Sequence, residues 1–181
     1  METTLFKGLI GQERWQKYFA EVLARQKMSH AYLFSGPEHL GKRTFVGAVV
    51  RSLLCASPAT SGVPCTHCAS CRAWRGEAHP ELVELKLKLE ATSVGVEEVR
   101  GFIQALVSTP SLGKYRVGVL RDVNQITLEG LSVLLKTIEE PAQSVVLLLV
   151  ADRLHPLPAT VQSRLQHCVF TPMKRAALAV A

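Results

Sequence analysis

A glycine-containing stretch near the N-terminus has the residue types and spacing of a phosphate-binding loop. Residues 36–42, GPEHLGK, fit the first seven positions of the pattern G-x-x-x-x-G-K-[ST]. In such a loop, Gly36 and Gly41 would let backbone N–H groups converge on phosphate oxygens at the start of a helix. Lys42 would add a mobile positive charge for the outer phosphates. The alternative is a glycine-rich turn between a strand and a helix that binds no ligand.

Two positions argue against a magnesium ion at this loop. Arg43 stands where the pattern ends in Ser or Thr, whose hydroxyl ligates magnesium, and Thr44 lies one residue too late. The strand RVGVLRDV should end in acidic residues that hold magnesium and polarise the attacking water, but Arg121 stands at the first of these positions, where the metal's carboxylate belongs, and Asp122 at the second. We therefore expect guanidinium groups on both sides of the magnesium position and no hydrolysis of ATP. Two questions stay open: whether ATP or ADP binds without turnover, and whether Arg43 clasps a phosphate or faces solvent.

Four of the five cysteines have the spacing of a metal site. With nine, two and two residues between them, they are Cys55, Cys65, Cys68 and Cys71. Zinc takes four thiolates tetrahedrally at about 2.3 Å, and a complete set of protein ligands leaves no position for a substrate. The pattern therefore predicts a structural zinc ion, against the alternative of free buried thiols. His67 could replace a cysteine but is expected to point outward, and Cys168 is expected in the core.

The elements that must position these residues follow from the periodicity of the apolar side chains. Period-two or continuous apolar runs predict strands at residues 30–35, 81–87, 115–123, 144–151 and 166–170. Helical spacing predicts helices within residues 11–27, 42–55, 94–110, 127–141 and 158–165. Thr127 is the expected N-cap of the fourth helix, which should end before Pro141. Strands and helices in this alternation predict an α/β fold whose parallel sheet is covered by helices on both faces.

Composition limits the class of protein. The chain has 181 residues, 48% of them apolar, which is enough for one sizeable core. A formal net charge of +6 favours an anionic partner, without the Lys/Arg blocks of a nucleic-acid tail. There is no pattern of a secretory signal, and the longest apolar run, residues 145–151, is too short to span a bilayer. We expect a soluble, cytoplasmic protein with no membrane partner, in which cysteines bind metal or are buried.

Several segments, in this order, closely resemble the N-terminal part of the clamp-loader subunits of bacterial DNA polymerase III, delta-prime and gamma/tau, in the AAA+ superfamily. They are HAYLFSGPEHLGK, the cysteine cluster, LSVLLKTIEEP and LPATVQSR. The resemblance covers residues 11–170, and LLKTIEEP followed by an SR motif is specific to this group among P-loop proteins. It implies a RecA-like P-loop core over residues 1–172, with a zinc module inserted at about residues 55–76. Residues 173–181 would either begin the helical lid of the family or end a fragment.

The departures from the family pattern favour the delta-prime branch, which the resemblance describes as a rigid stator with a decayed nucleotide site. Arg43 and Arg121 stand at the two positions described above, where the hydrolysing gamma/tau form favours magnesium. Ala151-Asp152 stand where that form has a pair of threonines that senses the terminal phosphate. The SRC motif of the family appears as Ser163-Arg164-Leu165, which keeps the arginine and loses the cysteine.

By this likeness Arg164, next to Ser163, is an arginine finger offered to the ATP of a neighbouring gamma/tau subunit. Such a group stabilises the charge that spreads over the transferred phosphoryl group and is worth roughly 10³–10⁵ in rate. The resemblance thus implies a catalytic role for a subunit that does not hydrolyse ATP itself. The alternative is that Arg164 forms a structural salt bridge at the end of a helix.

The implied function is that of a scaffold and finger donor in loading the sliding clamp onto primed DNA. The implied partners are the gamma/tau and delta subunits and, through the complex, the clamp and the DNA. An active ATPase of the gamma/tau kind is the first alternative, favoured by Lys42 and opposed by Arg121. A zinc-dependent DNA-binding module is the second, favoured by the basic excess but opposed by the few basic residues of CTHCASCRAWRGEAH. An active ATPase would release phosphate from ATP in the absence of partner subunits, and a DNA-binding module would bind DNA in a salt-sensitive way.

Overall fold

The fold is built on a parallel sheet formed by the apolar segments that the sequence predicts as strands. The computed structural model describes residues 5–59, 61–87, 91–152 and 157–172. Within them the strands are β1 Ala31–Ser35, β2 Leu82–Leu85, β3 Arg116–Leu120, β4 Val145–Ala151 and β5 Gln166–Val169. Their order across the sheet is β2-β3-β4-β1-β5, and all neighbours are parallel, which confirms the predicted α/β class. Residues 173–181, predicted as the start of a lid or a chain end, lie outside the described residues.

The middle strands of the sheet are buried on both faces. All five residues of β1 and all seven residues of β4 are buried. A strand covered on both sides cannot alternate between apolar and polar residues, which is why VVLLLVA in β4 reads as a continuous apolar run. The edge strand β2 is only half-buried. It is also shorter than the seven residues predicted for it, since its single neighbour β3 ends at Leu120.

Helices cover both faces of the sheet, as predicted. They are α1 Glu13–Ala24, α2 Lys42–Leu54, α3 Ala69–Arg72, α4 Val96–Leu106, α5 Leu128–Glu139 and α6 Ala159–Gln162. The core residues of α1 and α2 pack with the even-numbered residues of β1 and β4, whereas those of α4, α5 and α6 pack with the odd-numbered ones. None of the helices in the described part of the chain combines the length and apolar character that crossing a bilayer requires.

The boundaries of α5 follow the sequence signals. The Thr127 hydroxyl accepts a hydrogen bond from the Gly130 N–H at 3.2 Å, and the helix ends at Glu139, two residues before Pro141, so both predictions are confirmed. The sequence reasoning missed a single 3₁₀ turn at Val123–Gln125, directly before this helix. Backbone hydrogen bonds of an isolated parallel bridge fix this turn beside Val94: the Val94 N–H donates to the carbonyl oxygen of Gln125, and the Val94 carbonyl oxygen accepts from the Thr127 N–H.

Gly118 in the middle of β3 is expected to be intolerant of a side chain. An added Cβ would lie 2.7 Å from Phe102 Cζ and 2.8 Å from Leu147 Cδ2, both in the core between β3 and α4. We expect Gly118→Ala to lower the free energy of unfolding by about 1–3 kcal/mol, the usual effect of overpacking a core. The matched control is Gly101→Ala in α4, where an added Cβ meets nothing within 4 Å.

This control should stabilise the helix by about 0.5–1 kcal/mol, because alanine replaces a glycine in a helix interior. Urea unfolding followed by circular dichroism measures both changes. A Gly118→Ala protein as stable as the unsubstituted chain would contradict the packing described for β3.

Candidate functional site

The predicted phosphate loop connects β1 to α2 at the carboxyl edge of the sheet. Gly36 has a φ of +142°, and a Cβ there would lie 2.3 Å from the carbonyl oxygen of Phe170, so the position requires glycine. Gly41, with a φ of 77°, is the N-cap residue of α2. His39 also has a positive φ, of 62°, and its side chain is exposed. A cavity of about 340 Å³ opens at the loop, lined by loop residues and the end of β4.

Lys42 is buried inside this loop and is only 5% exposed. Its Nζ donates hydrogen bonds of 2.7 Å to the carbonyl oxygens of Gly36 and Pro37. It also forms an ion pair of 2.9 Å with Oδ1 of Asp152, the residue that follows β4. Sequence reasoning noted Asp152 only as a departure from a threonine pair and missed this contact, although opposite charges at two phosphate-facing positions were a usable signal.

Arg43 pairs with the carboxylate that the sequence puts at the second acidic position. Its Nη2 lies 3.1 Å from Oδ1 of Asp122, and the two side chains are 62% and 22% exposed. Neither interpretation left open for Arg43, a phosphate clasp or a solvent-facing side chain, included this partner. Thr44 is exposed at the rim of the cavity. The loop and the end of β3 are thus joined by a direct ion pair.

Arg121 has acidic partners that the sequence did not indicate. Its Nε lies 3.1 Å from Oε1 of Glu84 in β2, and its Nη2 lies 3.7 Å from Oε2 of Glu77. The two-residue period of strands puts Arg121 on the same side of β3 as Val119, which packs on the α2 side of the sheet and is paired in register with Glu84. Arg121 does not line the cavity of about 340 Å³ at the loop, but together with Arg43 and Thr44 it lines an adjoining cavity of about 540 Å³. The expectation of guanidinium groups on both sides of the magnesium position stays a prediction.

The four cysteines predicted as ligands come together at the end of α2. Cys55 is the C-cap of α2, and Cys68 is the N-cap of α3. The four Sγ atoms all lie within 4.8 Å of one another, with Cys65 and Cys71 3.9 Å apart. A tetrahedron with zinc–sulfur bonds of about 2.3 Å has corners about 3.8 Å apart, so the cluster fits a zinc ion. The donors could hold a metal ion without rearrangement of the backbone.

Backbone amides bond to three of the cluster sulfurs, and they lower the pKa of Cys68, whereas burial raises the pKa of Cys55 and Cys71. The N–H groups of Cys65, Cys68 and Cys71 each donate a 3.3 Å hydrogen bond to the sulfur of the preceding cysteine in the cluster. Burial raises the pKa of Cys68, but hydrogen bonds from the backbone of Cys71 and Ala56 outweigh it and bring the pKa to about 6. His67 is exposed, and Cys168 is buried in β5, as predicted.

The cysteine module is attached to α2 by buried polar contacts that the sequence did not reveal. The Ser70 hydroxyl donates to the carbonyl oxygen of Leu54, the last residue of α2. Nδ1 of His79 accepts from the Glu81 N–H at 3.0 Å, so in the neutral ring Nε2 carries the proton toward the Ser70 carbonyl oxygen, 3.1 Å away. Burial lowers the pKa of His79 and keeps the ring neutral. The Trp74 ring packs on His79, with ring centroids 4.9 Å apart.

Arg164, predicted as an arginine finger, follows α6 and is 41% exposed. Its Nε lies 2.6 Å from Oε1 of Glu139, the last residue of α5, and its Nη1 donates to the carbonyl oxygen of Thr160 at 2.7 Å. The neighbouring Ser163 hydroxyl also bonds to that carbonyl oxygen, at 3.2 Å. In this chain alone, the guanidinium therefore forms the salt bridge that was the alternative interpretation, while remaining accessible at the surface.

The sheet is parallel, and its inner strand β1 runs through a glycine loop into a helix that begins with lysine. This arrangement defines a P-loop α/β protein of the AAA+ type. The family can be stated as well. The chain belongs to the family described as "DNA polymerase III, delta subunit", whose model matches residues 11–174. The resemblance noted from the sequence is confirmed at this level.

Curated relatives do not separate the subunits of this family. The chain is 31% identical to DNA polymerase III subunit tau of Bacillus subtilis, over 91% of this chain and 29% of the relative. It is also 31% identical to subunit delta' of Pseudomonas aeruginosa, over 83% of this chain and 46% of the relative. The chain thus spans less than half of the length of these relatives. The delta-prime branch remains a prediction.

Solved structures support the fold alone. A DNA polymerase III gamma subunit-related protein of Thermotoga maritima superposes with a TM-score of 0.62 at 19% identity, over 87% of this chain and 47% of that one. The RuvB Holliday junction branch migration motor of the same organism gives a TM-score of 0.54 at 14% identity, over 92% of this chain and 48% of that one. Both share the α/β fold of this chain.

Proposed function

We propose that this chain is the N-terminal core of a clamp-loader subunit that does not hydrolyse ATP, a stator of the delta-prime kind. It would help to load the sliding clamp of DNA polymerase III onto primed DNA and would donate Arg164 to the ATP site of a neighbouring subunit. The observation that carries the proposal is the ion pair of 3.1 Å between Arg43 and Asp122.

This ion pair supports the loss of hydrolysis because it joins the loop position of the missing magnesium ligand to the second acidic position after β3, whose carboxylate would polarise the attacking water in a P-loop enzyme. There a Ser/Thr hydroxyl from the loop and a carboxylate from the neighbouring strand hold the ion against the phosphates. Here Arg43 replaces the hydroxyl with a guanidinium, which cannot ligate a cation, and its positive charge is bonded to the Asp122 carboxylate. A magnesium ion would lack the hydroxyl ligand, would meet Arg121 at the first acidic position and would have to tolerate the positive charge of Arg43 beside it.

The finger role of Arg164 is supported by its position on the surface and by the geometry of its guanidinium. Glu139 binds Nε and the Thr160 carbonyl oxygen binds Nη1, which leaves donors on Nη2 for a partner. A guanidinium fixed in this way is pre-oriented for phosphate oxygens, which arginine recognises with paired N–H groups. Ser163 would help to fix the turn that carries the finger.

The proposed partners are the gamma/tau and delta subunits, with the sliding clamp and DNA reached through the complex. The family membership and the relatives named tau, gamma and delta' support these partners. We assign residues 1–172 to the P-loop core and about 55–76 to an inserted module that holds one structural zinc ion.

The proposal predicts that the purified chain, given ATP and magnesium, releases no phosphate above background. A coupled phosphate assay with Lys42→Ala as the matched control measures this, because that variant removes the one loop cation that an ATPase would need. Magnesium-dependent phosphate release that Lys42→Ala abolishes would contradict the proposal and favour the active gamma/tau kind of ATPase.

A zinc-dependent DNA-binding module is the competing function, and one contact weakens it. Trp74, the aromatic side chain of the module, contacts both the His79 ring, with ring centroids 4.9 Å apart, and the guanidinium of Arg51, which lies 4.3 Å from the Trp74 ring centre. These internal contacts compete with stacking of the Trp74 ring on bases. Salt-sensitive DNA binding by the isolated chain would favour this competing function.

A further inference from the structure

The ammonium group of Lys42 has no hydrogen-bonding capacity left for a ligand. A lysine ammonium has three N–H donors. Here they face the carbonyl oxygens of Gly36 and Pro37, each at 2.7 Å, and Oδ1 of Asp152 at 2.9 Å. The side chain is 5% exposed, so solvent cannot compete for it. A phosphate oxygen would have to replace one of these three partners.

Asp152 is the partner that a phosphate would have to replace. The two carbonyl oxygens belong to the loop itself, whereas the carboxylate reaches the lysine from the end of β4. Asp152 lies on the α2 face of the sheet because it continues the alternation that puts Val150 and Leu148 in the α2 core cluster. Its backbone N–H donates to Oδ1 of Asn124 at 3.1 Å, which fixes the residue beside the loop.

The lysine and the arginine that line the cavity of about 340 Å³ are each paired with a carboxylate: Lys42 with Asp152, and Arg43 with Asp122. Glu38 also lines the cavity, but its side chain is 69% exposed, so solvent screens its charge. A diphosphate or triphosphate that entered would meet the Asp152 carboxylate at Lys42 without an unpaired cation to bind, and like charges repel strongly in a partly buried site.

We propose that Asp152 is the specificity-determining residue of this loop: its carboxylate is a built-in anion that occupies the phosphate position at Lys42 and excludes nucleoside di- and triphosphates. The inference goes beyond the proposed function, which concerns hydrolysis and the finger, and rests on it only in treating residues 36–42 as a former phosphate cradle. A single substitution should then restore anion binding, because the glycines and the lysine of the cradle are retained.

The test is titration calorimetry of the purified chain with inorganic pyrophosphate at fixed ionic strength and neutral pH. Asp152→Asn removes the negative charge but keeps the side-chain shape, and Asp152 is 47% exposed, so the core should be undisturbed. We expect this variant to bind pyrophosphate at least about tenfold more tightly than the unsubstituted chain. The matched control is Glu38→Gln, which removes a carboxylate of the same cavity that is 69% exposed and pairs with His39; we expect a change below about threefold.

Two further variants make the result specific. Lys42→Ala in the Asp152→Asn background should abolish the gain, since the released ammonium is its source. Asp152→Ser, with a thermal melt of every variant, provides a second route if the asparagine variant folds poorly. Equal pyrophosphate affinity of the unsubstituted chain and folded Asp152 variants, or the same gain from Glu38→Gln, would overturn the inference.

The outcome is separable from that of the proposed function. If the unsubstituted chain already binds pyrophosphate as tightly as its variants but releases no phosphate from ATP, the inference about Asp152 fails and the proposed function stands. If the unsubstituted chain hydrolyses ATP, the proposed function fails regardless of the binding data.

Discussion

In the proposed assembly with gamma/tau and delta subunits, replacing Arg164 by alanine is expected to slow ATP hydrolysis at the facing site by about 10³-fold or more. The physical reason is that a guanidinium neutralises charge on the phosphoryl group as it is transferred. At 41% exposure and with donors to spare, Arg164 can reach a neighbour. Single-turnover phosphate release in the presence of clamp and primed DNA measures the effect.

The matched control for this prediction is Glu139→Ala, which breaks the same ion pair but keeps the guanidinium. If Arg164 is only structural, both variants should lower the free energy of unfolding of the isolated chain equally and alter turnover equally. A partly exposed pair of this kind contributes about 0–1 kcal/mol, so both proteins should remain folded. Arg164→Lys should remain slow, because an ammonium lacks the planar fork. Turnover unchanged by Arg164→Ala would leave the finger without support.

Removing zinc is expected to unfold the cysteine module and destabilise the core that it contacts. Among the described residues from 56 to 78, none belongs to the buried apolar core, so the module has no hydrophobic interior of its own. In peptides of this kind, zinc supplies about 10–16 kcal/mol of apparent binding free energy, which becomes folding free energy. We expect one zinc ion per chain, lost in Cys65→Ser, together with a melting temperature lower by about 10 °C or more.

Cys168→Ser is the control for the zinc prediction. Cys168 is 1% exposed in β5 and lies in the core, apart from the four cysteines of the cluster. Its substitution should lower stability through lost packing but leave the zinc content at one ion per chain. Elemental analysis of dialysed protein together with thermal melts distinguishes the two cases. A metal content well below one ion per chain in a protein that melts at the same temperature would contradict the structural role.

The parts of the structure that were predictable from the sequence depend on local pattern. In three elements a few neighbouring residues are enough to predict the structure: the continuous apolar run of β4, the helical spacing of α4 and the capping threonine of α5. The cysteine spacing likewise predicted the cluster, because two C-x-x-C turns bring their sulfurs together without help from the rest of the chain. Local geometry was sufficient in these cases.

The ion pairs were not predictable in the same way, because they depend on strand order and side-chain parity. Arg121 joins Glu84 only because β2 and β3 are neighbours in a particular register. Glu81 is a second example: it is 2% exposed, accepts two hydrogen bonds from Ser111 and pairs with Arg116 at 2.8 Å. Burial raises the pKa of Glu81, but these hydrogen bonds and the Arg116 charge outweigh it and lower the pKa. Such partners are distant in sequence, and no local pattern indicates them.

The strand order also has a consequence for synthesis of the protein. Both neighbours of β1 in the sheet, β4 and β5, come from the last part of the chain, so β1 leaves the ribosome long before it can be paired on either side. The segment AYLFS is fully buried in the finished sheet, so its apolar residues need shielding from water until β4 and β5 have been synthesised. Sheets with such non-local strand pairing fold slowly, through intermediates that expose apolar surface and are prone to aggregate. Completion of the domain is thus tied to the release of residues up to Phe170 from the exit tunnel, and truncations upstream of that point should aggregate.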